Sequence, residues 1–185
     1  MSKVHSLQHI NDSLKKKFKG KKLVFGSGTP GAQIVFVGES PDMFEEKEGK
    51  AFVGPTGKLL NQFLKKIKMD RRKVYVTHVL KYRQTPNKVP TSKEIKSHMP
   101  FLKEEIKTVN PQVVVTLGVM ALNGIGLKLP LNNVHGRVFN FGHYEVMPTY
   151  HPNSAQADPA IKSIVELEFQ RVKDLLESKK KEIKA

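Results

Sequence analysis

The chain has 185 residues, a formal net charge of +15 and no cysteine, and 38% of its residues are hydrophobic. Without cysteine it can form no disulfide, no thiolate-bound zinc site and no cysteine-ligated iron–sulfur cluster, and it has no cysteine nucleophile. It has enough apolar residues for a core but no apolar run near the ~18 residues that a membrane span requires. We therefore expect one intracellular domain over residues 1–185.

The positive charge is concentrated at the two ends of the chain. Residues 1–23 hold seven lysines and one aspartate, and residues 179–185 hold four lysines and one glutamate, which leaves +6 of the total +15 for the residues between them. Such lysine-rich segments are typical of solvated helix ends and also of segments that bind nucleic acid. The charge is therefore compatible with a polyanionic partner but does not identify one.

The predicted elements alternate between short strands and longer helices. In chain order they are a helix over 6–18, a strand over 33–37, a helix over 57–68, a strand over 74–77, a helix over 92–109, a strand over 112–117, a helix over 119–125, strands over 138–141 and 144–147, and a helix over 160–178. Thr91 and Glu94 form a capping box at the start of the third of these helices, and Pro111 follows its end. The alternation predicts an α/β fold.

Polar residues follow the predicted strands, where ligands bind in parallel sheets. Glu39 follows Val37-Gly38 at the end of an apolar strand, where burial of a carboxylate costs free energy. It is either a helix cap or surface ion pair, or a carboxylate held in a cleft to polarise water or face a developing positive charge. His151, between Tyr150 and Pro152, is either a packed side chain or a positioned imidazole, since the proline restricts the backbone.

Motifs for nucleotide and metal binding are not satisfied. The glycines of 26–31 precede a strand, whereas a dinucleotide fingerprint follows one, and 54–58 lacks two of the residues that define a Walker loop. His135, His143 and His151 are eight residues apart, with no carboxylate at ligand spacing. We therefore expect no metal and no cofactor.

Several separated blocks of sequence resemble the motifs of the uracil-DNA glycosylase superfamily, most closely its family 4. They are Val37-Gly38-Glu39-Ser40-Pro41, then Glu45, Gly49, Phe52-Val53-Gly54 and 57–60, then 74–83, then Pro90-Thr91, Glu94-Ile95, Pro111 and 115–118, and finally Thr149-Tyr150-His151-Pro152. The resemblance implies a fold of three layers, α/β/α, whose middle layer is a four-stranded, mostly parallel sheet. It also implies an enzyme that flips uracil or a related deaminated base out of DNA and hydrolyses its N-glycosidic bond, leaving an abasic site.

The resemblance also implies roles for individual residues. Glu39 matches the catalytic acidic position, which activates water and stabilises the oxocarbenium-like sugar, and His151 matches the histidine that donates to the leaving base. The other implied roles are base contacts by Ser40, Phe52 and His78, and water positioning by Glu45. Basic residues of the loop after 74–77 are expected to bind DNA phosphates, and these are Lys81, Arg83 and Lys88.

The chain departs from the family pattern at several positions. Tyr82 and His98 stand at two of the positions where family 4 holds an iron–sulfur cluster through cysteine, so we expect packing with the N-terminal segment to replace the cluster. His78 stands in place of an asparagine that reads uracil, and a neutral imidazole has its donor and its acceptor on opposite sides of the ring. Residues 153–157 lack the leucine and arginine that fill the gap in the duplex.

Two other function classes remain open on the sequence. A catalytically weak or inactive relative that binds damaged DNA is compatible with the departures at the base-reading and gap-filling positions. A nucleotide-binding or phosphotransfer enzyme is compatible with the fold but lacks a phosphate loop. We expect DNA that contains uracil or another deaminated base as partner, no membrane, and a monomer in the cytoplasm or nucleoid, or in the nucleus of a eukaryotic or viral host.

Overall fold

The structure is a computed structural model that describes residues 1–184. The strands of its sheet are β1 (Ser27–Gly28), β2 (Ile34–Gly38), β3 (Tyr75–His78), β4 (Val113–Leu117), β5 (Phe139–Asn140) and β6 (Glu145–Thr149). They lie in the order β1-β3-β2-β4-β6-β5, with the middle four parallel and the short edge strands β1 and β5 antiparallel to their neighbours. The predicted four-stranded parallel sheet is thus confirmed as the centre of a sheet that two short strands extend.

The helices agree with prediction where they are long. They are α1 (Lys3–Lys17), α2 (Met43–Glu48), α3 (Gly54–Lys66), α4 (Ser92–Val109), α5 (Val119–Gly124), α6 (Leu131–Val134), α7 (Pro152–Ala157) and α8 (Pro159–Lys184), with a 3₁₀ turn at Arg71–Lys73. The helix α4 has the predicted bounds, begins with the predicted capping box and ends at Asn110 in the left-handed conformation. The sequence does not predict α2, α6 or α7, and α8 continues beyond its predicted end at residue 178.

Apolar side chains cover both faces of the sheet. Along β2, Ile34 and Phe36 pack against α3, α7 and α8, whereas Val35 and Val37 pack against α4, α5 and part of α1. This alternation follows from the two-residue period of a strand. The predicted α/β/α layers are therefore confirmed, with β2 buried on both faces.

The order of the strands defines where a ligand crevice lies. The chain moves from β2 to β3 on one side and then returns to place β4 on the other side of β2. In open parallel sheets, ligands bind beyond the carboxyl ends of the strands at such a reversal. Glu39 and Gly118, which directly follow β2 and β4, lie at this point.

The helices differ in length and in apolar content. In the described residues 1–184, none of the helices combines the length and the apolar content that such a span requires. The long helix α8 is amphipathic, and its apolar side packs on the sheet.

Candidate active site

Glu39 and His151, which lie 112 positions apart in the sequence, line the same cavity at the carboxyl ends of the strands. This cavity, which we call the Glu39 pocket, has a volume of about 370 Å³, and Gly118, Val119 and Tyr150 also line it. A volume of this size is within the range of small-molecule sites. The fold therefore brings together the two residues that the sequence predicts to be catalytic.

Glu39 is half-buried and held by the backbone of α5. Its Oε2 accepts a hydrogen bond of 2.7 Å from the N–H of Met120 in the first turn of that helix. Burial raises the pKa of the Glu39 carboxyl above its ordinary value, although the Met120 bond and the nearby His78 oppose the rise. The carboxylate is thus fixed in direction and poorly solvated, which strengthens its interaction with a nearby cation.

Gly118 makes room for this carboxylate. Its φ is +100°, in a region that L side chains rarely adopt, and a Cβ atom built there would lie 2.8 Å from Cδ of Glu39. The N–H of Gly118 donates to the carbonyl of Thr149 at 3.0 Å, which joins the ends of β4 and β6. The sequence shows this glycine within a family motif, but its contact with Glu39 is visible only in the fold.

His151 is held in one tautomer by the helix that it begins. Its Nδ1 accepts a hydrogen bond of 3.1 Å from the N–H of Asn153 in the first turn of α7. The proton of the neutral ring must therefore lie on Nε2. Burial, together with the nearby His78, lowers the pKa of His151 to about 4. At neutral pH the side chain is thus an uncharged donor through Nε2.

Behind the Glu39 pocket lies a buried group formed by Glu45, Phe52 and His78, which we call the inner triad. Oε1 of Glu45 accepts from the Phe52 N–H at 2.5 Å and contacts Nε2 of His78 at 2.7 Å, and Oε2 accepts from the Asp42 N–H at 2.8 Å. Burial by itself would raise the pKa of Glu45, but the hydrogen bond and charge of His78 and the two backbone donors bring it below its ordinary value.

These bonds make Glu45 a positioning residue for the other two members of the inner triad. The contacts of its carboxylate are all with protein groups, and the residue is 1% exposed. A carboxylate so placed is stable as an anion because it is surrounded by donors. That Glu45 also positions water stays a prediction.

The ring of Phe52 stacks on His78, with centroids 4.8 Å apart and planes inclined by 17°. Both residues are buried, and Phe52 has a φ of +56°. A Cβ atom on Gly38 would collide with both rings, so this glycine lets them lie against the end of β2. Phe52 and His78 are therefore neighbours of the Glu39 pocket rather than part of its open wall, and their contacts with a base stay predictions.

One ring nitrogen of His78 is left over by this arrangement. Nε2 faces Glu45, whereas Nδ1 has no hydrogen-bond partner among residues 1–184 although it is buried. Buried polar atoms in proteins are almost always paired, so this nitrogen is unusual among the buried polar groups of the site.

Ser40 and the two exposed basic residues lie near the protein surface. Ser40 is half-buried in the turn after Glu39. The Arg83 guanidinium lies 3.4 Å from a Glu46 oxygen, and the Lys88 ammonium lies 3.4 Å from a Glu94 oxygen. Exposed pairs of this type are weak and exchange readily. Binding of a base by Ser40 and of phosphates by Arg83 and Lys88 stays a prediction.

The prediction that Lys81 binds phosphate is wrong. Its side chain is 1% exposed, and its Nζ donates to Oγ1 of Thr77 and to Oε2 of Glu105, each at 2.6 Å. Glu105 also accepts from the hydroxyls of Thr77 and Tyr75. Lys81 therefore neutralises a buried carboxylate of α4, because a buried charge is costly without such a partner.

A third buried carboxylate, Glu168 of α8, supports the segment that carries His151. It accepts hydrogen bonds from the Thr149 hydroxyl and from Nδ1 of His135. Thr149 is the last residue of β6 and precedes His151 by two positions. Glu168 is not among the residues predicted from the sequence, although its spacing from Val165 and Val172 places it on the apolar side of the helix and could have indicated it.

The region that matches the cluster-binding part of family 4 does not fit an iron–sulfur cluster. The ring of Phe18 stacks on His98 at 4.4 Å, and the Tyr82 ring lies 5.1 Å from His98 and 5.6 Å from Phe18. Lys21 adds a cation over the Tyr82 ring at 4.9 Å. Packed rings without thiolates hold no such cluster. We call these residues the aromatic cluster, and the expected packing with the N-terminal segment is confirmed.

The histidine, aspartate and glutamate side chains are also possible metal ligands. In the part of the chain that the structure describes, no three side chains of His, Asp or Glu come together as a metal site would require. His135 donates a hydrogen bond from Nδ1 to Glu168, and its ring packs against Tyr150, so these two contacts account for its position.

Comparison with known proteins gives a consistent result. Residues 25–170 match the family model described as the uracil DNA glycosylase superfamily. A type-4 uracil-DNA glycosylase of Sulfurisphaera tokodaii is 38% identical over 81% of this chain and 73% of that protein. The type-4 enzymes of Saccharolobus solfataricus and Thermotoga maritima are 35% and 38% identical, over 88% and 71% of this chain and 80% and 70% of their own lengths. The matched residues include both strand ends that form the Glu39 pocket.

Proposed function

The chain belongs to the uracil DNA glycosylase superfamily, and on that premise we propose that it removes uracil from DNA, as its type-4 relatives are named for doing. The reaction hydrolyses the N-glycosidic bond and leaves an abasic site, which is a step of base excision repair. The observation that carries the proposal is the shared pocket of Glu39 and His151, a half-buried carboxylate and a neutral imidazole donor.

Glu39 supplies the negative charge that the reaction needs. As the bond between C1′ and the base breaks, the sugar becomes cation-like, and a preorganised carboxylate stabilises this charge. The water oxygen then bonds to C1′, and the carboxylate accepts the proton that the water loses. The Met120 N–H binds the carboxylate at Oε2, so the group does not have to reorient during the step.

His151 supplies the donor for the leaving base, which departs as an anion. Its Nε2–H is directed by the Asn153 bond at Nδ1, and its lowered pKa keeps the ring neutral. A neutral donor binds the carbonyl oxygen of the base before cleavage and binds it more strongly as the negative charge develops. The electron pair of the broken bond is thus stabilised on the base.

His78 reads the base through one atom. In the neutral ring, whose Nε2–H donates to the Glu45 carboxylate, Nδ1 carries a lone pair and accepts a hydrogen bond. Uracil presents N3–H as a donor, whereas cytosine presents a lone pair at N3, so this atom favours uracil over cytosine. Hypoxanthine and xanthine also carry a ring N–H, at N1 beside the C6 carbonyl, so they can donate to the same atom of His78.

The protein acts as a monomer in this proposal. Glu39 and His151, the two side chains that the proposed reaction uses, line one cavity of one chain. Light scattering after size-exclusion chromatography is expected to give a mass near 20.9 kDa. A mass of twice this value under assay conditions would contradict a monomer.

Incubation with a uracil-containing oligonucleotide, followed by alkaline cleavage of abasic sites, tests the proposed function. We expect strand scission with the native protein and with Glu48→Gln, an exposed carboxylate that serves as the matched control. Glu39→Gln is expected to abolish scission while leaving DNA binding nearly intact. A shifted band without scission from the native protein would show a DNA-binding relative without activity, and the proposal would be wrong.

A further inference from the structure

A base that leaves the duplex creates a gap, and the segment after His151 has nothing to fill it. Base flipping costs a few kcal/mol of unstacking, and proteins offset this by inserting an apolar side chain between base steps. Residues 153–157 belong to α7, and Ala155 is buried between that helix and the core. The remaining side chains of 153–157 are small or polar. The gap must therefore be filled from another part of the rim.

A second, larger cavity adjoins the Glu39 pocket. It has a volume of about 700 Å³ and lies between α4, α5 and the segment 128–130. Val119 and Pro130 line both cavities and form the edge that the two share. We call the larger cavity the flanking groove. A DNA strand that delivers one base into the Glu39 pocket extends across this shared edge.

Two large apolar side chains of the flanking groove are exposed, Val119 at this edge and Leu129 next to Pro130. Val119 is 54% exposed and Leu129 is 40% exposed. Val119 is also the neighbour of Gly118, whose backbone lies against Glu39. Exposed apolar side chains are common when scattered, but grouped ones beside a pocket mark a contact surface.

The charge of the flanking groove favours nucleic acid as its occupant. Lys96 and Lys128 line it and are exposed, and in the described chain no acidic side chain lines it. Phosphates pair with such lysines, whereas an uncharged apolar ligand would gain nothing from them. The groove thus offers apolar contacts at its edge and positive charge along its wall.

We propose that Val119 and Leu129 enter the gap left by the flipped nucleotide, and that Lys96 and Lys128 bind the phosphates of the adjoining strand. This inference rests on the proposed function. It assigns the role of a wedge to the loop that begins α5 and to the segment before α6, in place of the segment after His151.

The first test compares duplex and single-stranded substrates. Because only a duplex needs its gap filled, the variant with Val119→Ala and Leu129→Ala is expected to lower the ratio of duplex to single-strand excision rates about tenfold, as expected from the loss of a contact that offsets unstacking. The control with Val4→Ala and Leu167→Ala removes exposed side chains of the same two types elsewhere. An unchanged ratio, or an equal loss on both substrates, overturns the wedge assignment.

The second test does not depend on catalysis. Binding to a duplex with a tetrahydrofuran abasic analogue is measured by fluorescence anisotropy at several salt concentrations. Lys96→Ala with Lys128→Ala is expected to reduce the salt slope by about 2, since each phosphate contact contributes ~0.9. Lys103→Ala with Lys107→Ala, exposed on the far half of α4, is the control. Equal slopes for the two variants overturn the phosphate assignment.

The two tests separate the inference from the proposed function. If the native protein excises no uracil from either substrate, the proposed function is wrong. The wedge is then still tested by anisotropy, because the Val119 and Leu129 variant is expected to lose its preference for the abasic duplex over an intact one. If that preference is unchanged, the wedge assignment is overturned as well.

Discussion

The Glu39 pocket and the aromatic cluster make different demands on the residues that form them. Both regions include sequence that resembles motifs of family 4, but the pocket has the carboxylate and the imidazole that the resemblance implies, whereas the aromatic cluster has packed rings and no thiolates. Catalysis in the pocket requires particular functional groups at fixed positions. Tying α1 to α4 requires only favourable packing, which Phe18 and His98 provide. Activity and stability are therefore expected to depend on separate residues.

Glu39→Gln is expected to give the largest effect on activity, a loss of about 10³-fold in the single-turnover rate, as is typical when a preorganised charge is removed. The same substitution is not expected to destabilise the fold. Burial raises the pKa of Glu39, which means that the fold disfavours the charged form. The neutral amide should therefore leave the free energy of unfolding at pH 7 unchanged or larger. Urea denaturation measures this, and a destabilised variant would contradict the separation.

His151→Ala is expected to slow excision by about 10²-fold, because the leaving base loses a positioned donor. The DNA-binding affinity should change little. Stopped-assay kinetics with excess enzyme measure the step directly. An increase in KM alone, with an unchanged single-turnover rate, would assign His151 to binding rather than to cleavage.

The pH dependence of stability gives a second check on His151. Its pKa falls from 6.5 to about 4 on folding. The unfolded chain therefore binds more protons at this residue between those values, and stability is lost as the pH falls from 6.5 towards 4. Above 6.5 the contribution is fully present. In His151→Ala this part of the pH dependence should disappear, as measured by urea denaturation at several pH values.

Phe18→Ala tests the other region. It is expected to lower the free energy of unfolding by about 2 kcal/mol, less than for a fully buried phenylalanine, because the ring is half-buried. The rate of uracil excision at 25 °C should be unchanged. Phe18→Leu keeps apolar volume and should recover part of the stability. If Phe18→Ala abolishes excision while the protein remains folded, the two regions are coupled.

His78→Asn is expected to produce the smallest effect. An amide offers an acceptor and a donor side by side, so excision of uracil relative to hypoxanthine should rise about three- to tenfold, the value of one net hydrogen bond. Because the shorter amide side chain would reach Glu45 differently, the free energy of unfolding is measured beside the rates. Equal ratios for both proteins would mean that this position does not read the base.

The sequence predicts those parts of the molecule that depend on local patterns. The strands β2 and β4 are nearly continuous apolar runs, and α4 begins with a capping box and ends before a proline. All three elements can therefore be predicted from the sequence. The helices α2, α6 and α7 have four to six residues, and so short a segment shows little of the hydrophobic period, although α5 of similar length is predicted. The side chains of Asp42 and His151 cap α2 and α7, whereas α6 has no side-chain cap and is held by the burial of Leu131 and Val134.

Residues of the candidate site are predictable where a motif names them and are missed where contacts cross the chain. Glu39 and His151 belong to motifs, whereas Glu168 acts through Thr149 from a helix that carries no motif. Lys81 stands in a basic loop beside Arg83, and nothing local indicates that only the first of them turns inward. Its partner Glu105 is 24 residues away on α4, and only the fold brings the two together.

The bond between the Asn153 N–H and Nδ1 of His151 has a consequence for how this protein tolerates mutation. A main-chain amide selects the tautomer, and every residue except proline carries that amide. Random substitution at position 153 can therefore alter the surface without relocating the imidazole proton. The donor role of His151 therefore does not depend on the side chain at position 153, and the sequence of the adjoining segment can change without altering it.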